Sequence, residues 1–535
     1  MVKRAIIHVE NTKNLVPFAK FLVDSGWTII TANKTEDFLR EEKIPVSRES
    51  ALVQTAHYLN DTSALIRQIL NSKYSEDEFE QDTEKNDSNI FLVCMNVNPF
   101  FDRKVNYKEV AKPFSFYIST LIRNSFVNYE NVLILTDPDD YDEAMIQLKT
   151  NNITKEFRIY LAAKALNLVS AYDSGIASSV LLSSNNNKDF MRYLTFPFTK
   201  QLELHNGTNL QQKASLYKYP EDIGAVSGFQ KLQGKELTYN IISDISVAWD
   251  LISSLYENLK NQYTVQAVNA DGYNFTTQFT PLMGTVFTVA VKYTAVLGAA
   301  LSTNAKDSFI NMFNFDSENI KDVAIGCSSV VDEDAANEMV KCSLIAIVAP
   351  GFTDGAKQIL SANKNIRLIP TAKVSCPDYD LQLINGGVLF QTRDSVIFEQ
   401  WNIKTKNRPS QFITDEMAFG MLLAMKARTY ATVLVKNNAV VGFSQSCKSP
   451  KSAIDNALSE AKEIAIRTKS DDKKLADLLV SDTTITLTDS IKELIDNGLS
   501  AIIQTGSATA DKEFINYCDE HNVVMVYTLM SHITY

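Results

Sequence analysis

The feature that most restricts the fold of this chain is the alternation of apolar runs and amphipathic segments in its first 45 residues. "RAIIHV" and "WTIITA" are short apolar runs typical of buried strands, whereas "NLVPFAKFLVDSG" repeats apolar residues at helical spacing and ends at Gly26. "TEDFLREE" is also helical in character and ends before Pro45. Strands that alternate with helices form parallel sheets. The sequence therefore predicts an α/β fold that opens with a parallel-sheet domain.

The same type of pattern returns in the second part of the chain. "LIAIVAP" and "AIIQTG" each join an apolar strand to a glycine turn and a helix, and they lie about 160 residues apart. This spacing predicts two similar αβ halves. A chain of 535 residues also exceeds the roughly 250–300 residues that one core supports, so we expect several domains. The segment "SDISVAWDLISSLYENL" predicts a helix with Ser243 or Asp244 at its N-cap.

Charge and cysteine usage exclude several classes of partner. The net charge of −11 opposes binding to phosphate backbones, and no basic patch offsets it. No apolar run reaches the roughly 20 residues that a membrane span requires. The six cysteines are scattered without C-x-x-C spacing, as in a reducing compartment. We therefore expect a cytoplasmic protein that binds neither nucleic acid nor membrane.

Motifs for metal or nucleophilic chemistry are absent from the sequence. His8 ends an apolar strand run, and His57, His521 and His532 have no cysteine or carboxylate at metal-ligand spacing. The chain contains no G-x-x-x-x-G-K-[ST] and no G-x-S-x-G motif. The sequence thus predicts no metal site.

Five segments occur in an order that indicates a known family. They are "LTDPDDY" (135–141), "AAKALNLVSAYDSGIA" (162–177), "LQGKELTYN" (232–240), "INGGVLFQTRD" (384–394) and the closing segment from Ala501 onwards. With them, the chain resembles the bifunctional purine biosynthesis enzymes that join an IMP cyclohydrolase domain to an AICAR transformylase domain.

This resemblance implies a fold, a reaction and an assembly. Residues 1–197 would form a methylglyoxal-synthase-like domain of the IMP cyclohydrolase type. Residues 198–535 would form a transformylase region of two cytidine-deaminase-like αβ halves, roughly 198–370 and 371–535. The family transfers a formyl group from 10-formyltetrahydrofolate to AICAR and closes the product to IMP. A purine nucleotide ligand is therefore implied, together with a homodimer, because the transformylase site forms between subunits.

The residues that match the catalytic segment of the family do not preserve its chemistry. The family uses a Lys-His pair in K-H-x-N-P-C-G, and the matching stretch "VQAVNADGY" has Gln266 and Ala267 at that pair. An amide and a methyl group cannot exchange protons near neutral pH, and general acid–base catalysis requires a titrating group. We therefore assign no catalytic residue to the chain.

The stretch "LELHNGTNLQQKASLY" (202–217) resembles the substrate loop of the family, L-R-Y-G-x-N-P-H-Q-x-A-x-L-Y. Gly207, Asn209 and Gln212 match it, whereas His205 replaces the arginine and Gln211 replaces the histidine. The stretch is either a structural loop or a remodelled substrate loop. On the second interpretation, the candidate substrate-binding residues, completed by two surviving polar matches elsewhere, are His205, Asn209, Gln211, Asn240 and Asp489.

Other landmarks of the family are also changed. In the transformylase region, the replaced positions are Tyr430, Cys447, Pro450 and Ser531, while Asp482 remains. In the cyclohydrolase domain both glycine turns of the phosphate grip are missing, Asn98 and Ser115 stand at two further landmarks, and Asn33, Lys34 and Thr35 are expected to cap a helix. Two functions follow: a purine biosynthetic enzyme with a diverged site, or a catalytically inactive relative that binds a nucleotide or a partner.

Overall fold

The computed structural model describes residues 3–48, 66, 69–70, 90–97, 116–183, 190–219, 226–228, 231–259, 263–268, 274–279, 284–315, 317–318, 320–371, 379–397, 400–469, 472–507 and 511–534. The chain divides into two compact units. Unit 1 comprises Met1–Thr199 and Tyr217–Glu221, and unit 2 comprises Lys200–Leu216 and Asp222–Tyr535. No helix among the described residues is both long enough and apolar enough to cross a membrane.

Unit 1 is built on a parallel sheet with the strand order β3-β2-β1-β4-β5. Its strands are β1 (Lys3–Val9), β2 (Trp27–Thr31), β3 (Ser47–Arg48), β4 (Ile90–Asn96) and β5 (Leu133–Leu135). Its helices are α1 (Leu15–Asp24), α2 (Asn33–Glu41), α3 (Phe116–Val127), α4 (Tyr141–Lys149) and α5 (Lys155–Ser183). The predicted opening βαβα unit and its parallel sheet are confirmed.

Helix α1 shows how the sequence produces this arrangement. Leu15, Phe18, Ala19 and Leu22 are buried and lie on one face, because positions three and four apart are neighbours on a helix. The helix ends two residues before Gly26, which has a φ of 80° and so adopts the left-handed conformation that glycine accepts at low cost. The buried face packs with Ile7 and Ile29 into the core above the sheet.

Unit 2 contains a mixed sheet with the order β14-β13-β12-β10-β11-β19-β18-β20-β21-β22-β17-β8-β9. Two separate hairpins accompany it, β6 (Thr199–Leu204) with β7 (Ala214–Lys218) and β15 (Tyr379–Ile384) with β16 (Gly387–Thr392). The other strands are β8 (Tyr263–Val268), β9 (Asn274–Phe279), β10 (Val286–Lys292), β11 (Ala295–Ser302), β12 (Val323–Cys327), β13 (Leu344–Ala349), β14 (Arg367–Pro370), β17 (Gln400–Ile403), β18 (Thr432–Lys436), β19 (Ala439–Ser444), β20 (Leu478–Ser481), β21 (Ala501–Gln504) and β22 (Val524–Tyr527). The helices are α6 (Tyr239–Leu259), α7 (Ala305–Phe315), α8 (Glu333–Met339), α9 (Asp354–Leu360), α10 (Gln411–Lys426), α11 (Pro450–Arg467), α12 (Asp489–Asp496) and α13 (Lys512–Glu520).

The order of elements in unit 2 occurs twice. In each set a helix precedes an antiparallel hairpin, and three mutually parallel strands follow, each after a helix. The first set is α6, β10–β11, α7, β12, α8, β13, α9 and β14, with β8 and β9 inserted between α6 and β10. The second set is α10, β18–β19, α11, β20, α12, β21, α13 and β22. The two sets meet where β11 pairs with β19. The predicted α/β fold class is confirmed, while the boundaries at 197/198 and 370/371 and the named domain types stay predictions.

The predicted start of helix α6 is wrong. The helix begins at Tyr239, and Ser243 and Asp244 lie inside it. Thr238 precedes the helix, and its Oγ1 accepts a hydrogen bond from the Ile241 N–H at 3.4 Å. Asp244 serves a tertiary role instead, because its carboxylate accepts from the Thr294 N–H at 2.7 Å in the turn between β10 and β11. Asp244, a residue type that often caps helices, thus binds a distant turn, and the local sequence pattern does not reveal this contact.

A buried acid lies beside the junction of the two sets. Glu416 on α10 is fully buried, and its Oε1 accepts a hydrogen bond from the Asn438 N–H at 2.7 Å. The Asn438 carbonyl oxygen in turn accepts from the Leu301 N–H of β11 at 2.8 Å. Burial raises the pKa of the Glu416 carboxyl to about 7. The chain therefore holds a carboxyl group of nearly neutral pKa beneath the β18–β19 turn, which contacts β11 of the other set.

We predict that this acid makes stability depend on pH. The raised pKa means that the folded state binds the proton more tightly than the unfolded state, so this stabilisation is complete below the unfolded pKa of 4.5 and is lost as pH rises through about 7. The free energy of unfolding of the native chain, relative to that of Glu416→Gln, should fall by about 2–3 kcal/mol from about pH 5 to about pH 8. Urea unfolding of both proteins at the two pH values measures the change.

The matched control is Glu463→Gln, which alters an exposed glutamate on α11. This variant should follow the pH dependence of the native chain. An unchanged difference between the native chain and Glu416→Gln at the two pH values would contradict the prediction.

Candidate functional site

In unit 1 the polar groups gather where the parallel strands end, the edge at which open α/β sheets bind ligands. Asn96, the last residue of β4, is buried, and its Oδ1 accepts hydrogen bonds from the N–H groups of Glu10 at 2.8 Å and Asn11 at 2.9 Å. Its Nδ2 donates to the Asn11 carbonyl oxygen at 3.3 Å. These two N–H groups belong to the turn after β1, one of the two turns that the resemblance predicts as a phosphate grip. They are directed at the protein's own side chain.

The residues expected to cap α2 act differently from the prediction. The N-cap is Ala32, which has no capping side chain, and Asn33 is the first helical residue. Thr35 is buried, and its Oγ1 lies 3.1 Å from both the N–H and the carbonyl oxygen of Val9. The prediction that Asn33, Lys34 and Thr35 cap α2 is therefore wrong. The Thr35 hydroxyl instead forms hydrogen bonds with the backbone of Val9, the last residue of β1.

Two lysines at this edge, Lys13 and Lys164, are paired with carboxylates. Lys164 Nζ lies 2.7 Å from Asp137 Oδ2 and 2.8 Å from Asp140 Oδ2, and Lys13 Nζ lies 2.8 Å from Asp139 Oδ1. Although burial opposes the charge of Lys164, the two carboxylates raise its pKa above the usual value. The charges of Lys13 and Lys164 are thus offset by carboxylates, whereas Lys34 in the first turn of α2 is exposed.

Three residues named from the sequence, His57, Asn98 and Ser115, lie outside the described residues. His8 is buried on β1, and its ring meets that of Tyr117 edge-on at 5.7 Å between centroids.

In unit 2 the predicted substrate loop is a closed turn. The Gly207 N–H donates to the Gln212 carbonyl oxygen at 2.8 Å, and the Gln212 N–H donates to the Asn209 carbonyl oxygen at 3.0 Å. Gln212 Oε1 accepts from the backbone N–H of Asn209 at 2.9 Å and from its Nδ2 at 3.3 Å. A Cβ atom at Gly207 would lie 2.7 Å from Gln212 Cβ, so this position accepts no side chain without a shift.

The loop is tied to the first turn of α6. Asn240 Nδ2 donates to the Thr208 carbonyl oxygen at 3.2 Å, and the Tyr239 N–H donates to the Asn206 carbonyl oxygen at 3.3 Å. The structure thus brings four of the five candidate residues to one corner: His205, Asn209, Gln211 and Asn240. The amides of Asn209 and Asn240 hold the loop in shape, whereas the side chains of His205 and Gln211 are exposed.

Electrostatics at this corner differ from those of a phosphate site built on arginine. His205 Nδ1 lies 3.3 Å from Glu236 Oε2. Arg367 directs its Nε and Nη2 at the Glu236 carbonyl oxygen, at 3.1 Å and 2.8 Å. The corner offers hydrogen-bond donors at His205 and Gln211. The guanidinium of Arg367 nearby donates its hydrogen bonds to the backbone.

The fifth candidate, Asp489, occupies a different place in the fold. It is the exposed first residue of α12, where a carboxylate interacts favourably with the helix dipole. The N-cap is Thr488, whose side chain accepts from the Ile491 N–H at 3.3 Å. This position explains Asp489 without a ligand.

Gln266 and Ala267, which the resemblance predicts to stand at the positions of the catalytic pair, lie on β8. Gln266 pairs with Thr276 of β9 and Gln400 of β17, and Ala267 pairs with Phe275 and Trp401. The substrate loop is attached to the beginning of α6, whereas β8 follows the end of that helix. A helix of 21 residues is about 30 Å long. The two landmark segments are therefore attached to opposite ends of α6.

A third cluster, which the sequence did not indicate, surrounds His532. The ring is fully buried, with Nδ1 at 2.7 Å from Asp394 Oδ2 and Nε2 at 2.9 Å from the Ile397 carbonyl oxygen. The expectation that His532 has no carboxylate partner concerned neighbours in sequence, and Asp394 is 138 positions away. The only sequence signal was that Asp394 and His532 both fall in segments that match the family.

Asp482 lies beside this cluster and is buried. Its carbonyl oxygen accepts from Thr505 Oγ1 at 3.0 Å and from the His532 N–H at 3.4 Å. Neither carboxylate oxygen has a hydrogen-bond partner of ordinary geometry in the described part of the chain. Burial raises the pKa of this carboxyl above its usual value. Across the described ranges, no three His, Cys, Asp or Glu side chains converge as a metal site.

The diverged landmarks at Tyr430, Cys447 and Pro450 are also neighbours. The Cys447 N–H donates to the Tyr430 carbonyl oxygen at 3.4 Å, and the Ser446 N–H donates to that of Arg428 at 2.8 Å. Pro450 is the first residue of α11, after the N-cap Ser449. Three positions predicted to differ from the family thus lie near one another in the fold.

Comparison with known proteins yields one family and several relatives. Residues 127–460 match the family described as "AICARFT/IMPCHase bienzyme". A "Bifunctional purine biosynthesis protein PurH" from Clostridium acetobutylicum is 29% identical over 541 residues, covering 99% of both chains. A protein of the same name from Fusobacterium nucleatum is 28% identical over 547 residues, again covering 99% of both. The solved structure titled "Crystal structure of ForH" is 23% identical, covers 34% of this chain and 99% of its own, and has a TM-score of 0.31.

We predict that Asn96 holds the turn after β1. Asn96→Ala removes the acceptor of two N–H groups in a partly buried place, which should lower the free energy of unfolding by about 2 kcal/mol. Hydrogen exchange at the Glu10 and Asn11 amides should accelerate, and mass spectrometry of peptides from this turn measures it. The control is Asn152→Ala at an exposed position of the same unit. Unchanged exchange in Asn96→Ala would refute the role given to Asn96.

Proposed function

Because this chain belongs to the AICARFT/IMPCHase bienzyme family, we propose that it acts in purine biosynthesis, transferring a formyl group to AICAR and closing the product to IMP. The observation that carries the proposal is the extent of its likeness to proteins named for this role, which covers 99% of the chain and 99% of each relative. The proposed co-substrate is 10-formyltetrahydrofolate, the formyl donor that the resemblance implies.

In this proposal the corner formed by the 205–212 loop and α6 binds the purine nucleotide. Its closed turn is held by Gly207, Gln212 and Asn240, so it is ordered before any ligand arrives. The exposed His205 and Gln211 are the groups that would donate hydrogen bonds to the nucleotide. A preorganised loop loses less conformational entropy on binding.

The proposed functional form is a homodimer. The nucleotide corner and β8 are attached to opposite ends of α6. In a homodimer, the corner of one copy can lie next to β8 of the other copy. The proposed compartment is the cytoplasm, since the described cysteines Cys94, Cys327, Cys342, Cys447 and Cys518 are free thiols.

A second candidate function, that of a catalytically inactive relative, is favoured by specific observations. Gln266 and Ala267 stand at the positions of the proton-transferring pair. In unit 1, Asn96 fills the turn that would receive a phosphate, and carboxylates neutralise Lys13 and Lys164. Both features weaken catalysis without disturbing the fold.

We predict that formyl transfer is slow. Loss of a positioned acid–base group lowers a rate by about 10²–10⁴-fold, so AICAR-dependent release of tetrahydrofolate from 10-formyltetrahydrofolate should be at least about 100-fold slower than in an intact relative. The purified full chain and the Clostridium acetobutylicum relative should be assayed side by side by absorbance. Activity equal to that of the relative would refute this prediction and exclude the inactive function.

The double variant Gln266→Lys with Ala267→His tests the cause of the slow rate. We expect it to recover little activity, because His205 and Gln211 still differ from the family loop and substrate positioning contributes strongly to rate. Complete absence of formyl transfer in the correctly folded native chain would establish the inactive function instead.

The cyclohydrolase step should be weaker still. If the second candidate function is correct, no measurable IMP should form from formylated AICAR above the uncatalysed rate, because Asn96 occupies the N–H groups of the turn after β1. Chromatographic detection of IMP measures this, with the same relative as the positive control. Rapid, enzyme-dependent IMP formation would show that unit 1 binds its substrate in another way.

A further inference from the structure

A groove in unit 1 lies between α5 and α3. Its volume is about 500 Å³, within the range of roughly 300–1,000 Å³ that small-molecule sites occupy. Six residues of α5 between positions 166 and 177 line it, and they follow the three- and four-residue spacing of one helix face. Arg123 of α3 and Thr195 complete the lining that the described residues provide. The groove therefore has the size of a ligand site, and its chemistry indicates the ligand.

Aliphatic side chains form part of the groove. Leu166, Val169 and Ala177 line it from α5. Val169 is buried and belongs to the same core cluster as Leu121 and Ile122 of α3. Because the two helices share that core, the packing of unit 1 fixes the groove, which offers an aliphatic surface to a ligand.

An ion pair joins the two helices at the groove. Arg123 of α3 pairs with Asp173 of α5, and their side chains are 46% and 44% exposed. The pair has no net charge, but it presents a guanidinium that only donates hydrogen bonds beside a carboxylate that only accepts them. Exposed ion pairs contribute little to stability, so charged groups of a ligand can replace each partner at low cost.

A buried hydroxyl in the groove has no partner within the described part of the chain. Ser174 is 5% exposed, and its Oγ forms no hydrogen bond there. Buried polar atoms are nearly always hydrogen-bonded, so an atom of this kind in a groove points to a ligand. Ser170 and Thr195 add two exposed hydroxyls to the same lining. The polar side of the groove is therefore suited to a ligand with charged hydrogen-bonding groups.

The same groups disfavour three other classes of ligand. A phosphate dianion meets one guanidinium, which Asp173 already neutralises. A nucleobase finds no aromatic side chain to stack on among the described lining residues. A metal ion finds one carboxylate and neither histidine nor cysteine in that lining. A zwitterion, in contrast, brings a negative group for Arg123 and a positive group for Asp173.

We infer that this groove binds a free α-amino acid with an aliphatic side chain. The carboxylate of the amino acid pairs with Arg123 and accepts a hydrogen bond from the Ser174 hydroxyl, while its ammonium group pairs with Asp173. The aliphatic side chain lies against Leu166 and Val169. None of these residues belongs to the nucleotide corner, so the inference adds a binding function that goes beyond the proposed reaction and does not depend on it.

Calorimetry of the full chain with L-leucine tests the class of ligand. We expect one site per chain with a Kd of about 1 mM or tighter. Two ligands of similar shape are the controls: 4-methylpentanoate lacks the ammonium group, and 3-methylbutylamine lacks the carboxylate. Each should bind at least about tenfold more weakly, because one charged contact is lost. Equal binding of either control, or no binding of L-leucine up to about 10 mM, would overturn the inference.

Substitution of Asp173 tests the contact with the ammonium group. Asp173→Asn should weaken L-leucine at least about tenfold, and the preference for L-leucine over 4-methylpentanoate should disappear with it. The control is Glu156→Gln, which removes an exposed carboxylate of the same helix outside the groove and should leave the affinity unchanged. Native affinity in Asp173→Asn would contradict the inference.

Substitution of Ser174 separates a ligand contact from a structural one. Since the hydroxyl has no partner in the described part of the chain, Ser174→Ala should leave the midpoint of thermal unfolding unchanged. The same variant should weaken L-leucine about two- to tenfold, the effect of one hydrogen bond. A loss of stability at unchanged affinity would show that Ser174 acts in the fold, and the assigned ligand contact would be wrong.

A measurement on the native chain keeps the test decisive if a variant fails to fold. Hydrogen exchange of peptides that cover residues 166–177 should slow when L-leucine is added, and it should respond less to 4-methylpentanoate at the same concentration. Slowing confined to other parts of the chain would place the site elsewhere and overturn the inference. Formyl transfer is assayed separately, so this inference and the proposed function can each fail alone.

Discussion

The pairing of β11 with β19 is the constraint on which unit 2 depends, because it converts two five-stranded sets into one sheet. Small side chains meet there, with Ala300 opposite Ala439. The junction is reinforced by the chain of hydrogen bonds from Leu301 through Asn438 to Glu416. Close packing continues at Gly442 on β19, where a Cβ atom would lie 2.3 Å from the Ala457 carbonyl oxygen of α11. The junction therefore tolerates neither larger side chains nor a shift of the helix.

In unit 1 the N–H groups of the turn after β1 donate their hydrogen bonds to a side chain of the same protein, Asn96, and not to a bound anion. A buried or partly buried N–H must have an acceptor, and either a phosphate oxygen or an amide oxygen meets that need. In this chain Asn96 meets it, and Lys13 and Lys164 nearby are paired with Asp137, Asp139 and Asp140. The same physical requirement that creates a phosphate site thus also permits its replacement by a structural contact.

The nucleotide corner, the hairpin and the His532 cluster are connected through α6. Its first turn holds the 205–212 loop through Asn240, and its middle holds Arg393 through Asp250. Arg393 is adjacent to Asp394, the partner of His532. One helix therefore connects the loop proposed to bind nucleotide with the base of the β15–β16 hairpin and, through Asp394, with His532.

Periodicity and residue order in the sequence determined the α/β class, the opening βαβα unit and the family, because apolar spacing and segment order are local properties. The resemblance to the family also predicts that Gln266 and Ala267 stand at the positions of its catalytic pair. Local patterns failed where a side chain serves a distant partner: Asp244 bonds the turn after β10 instead of capping α6, and Thr35 bonds Val9 instead of capping α2. Only the tertiary structure decided that Asn96 fills the turn after β1 and that His532 pairs with Asp394. Such contacts join residues that are far apart in sequence, so they arise from the packing of whole elements and leave no periodic signal in the chain.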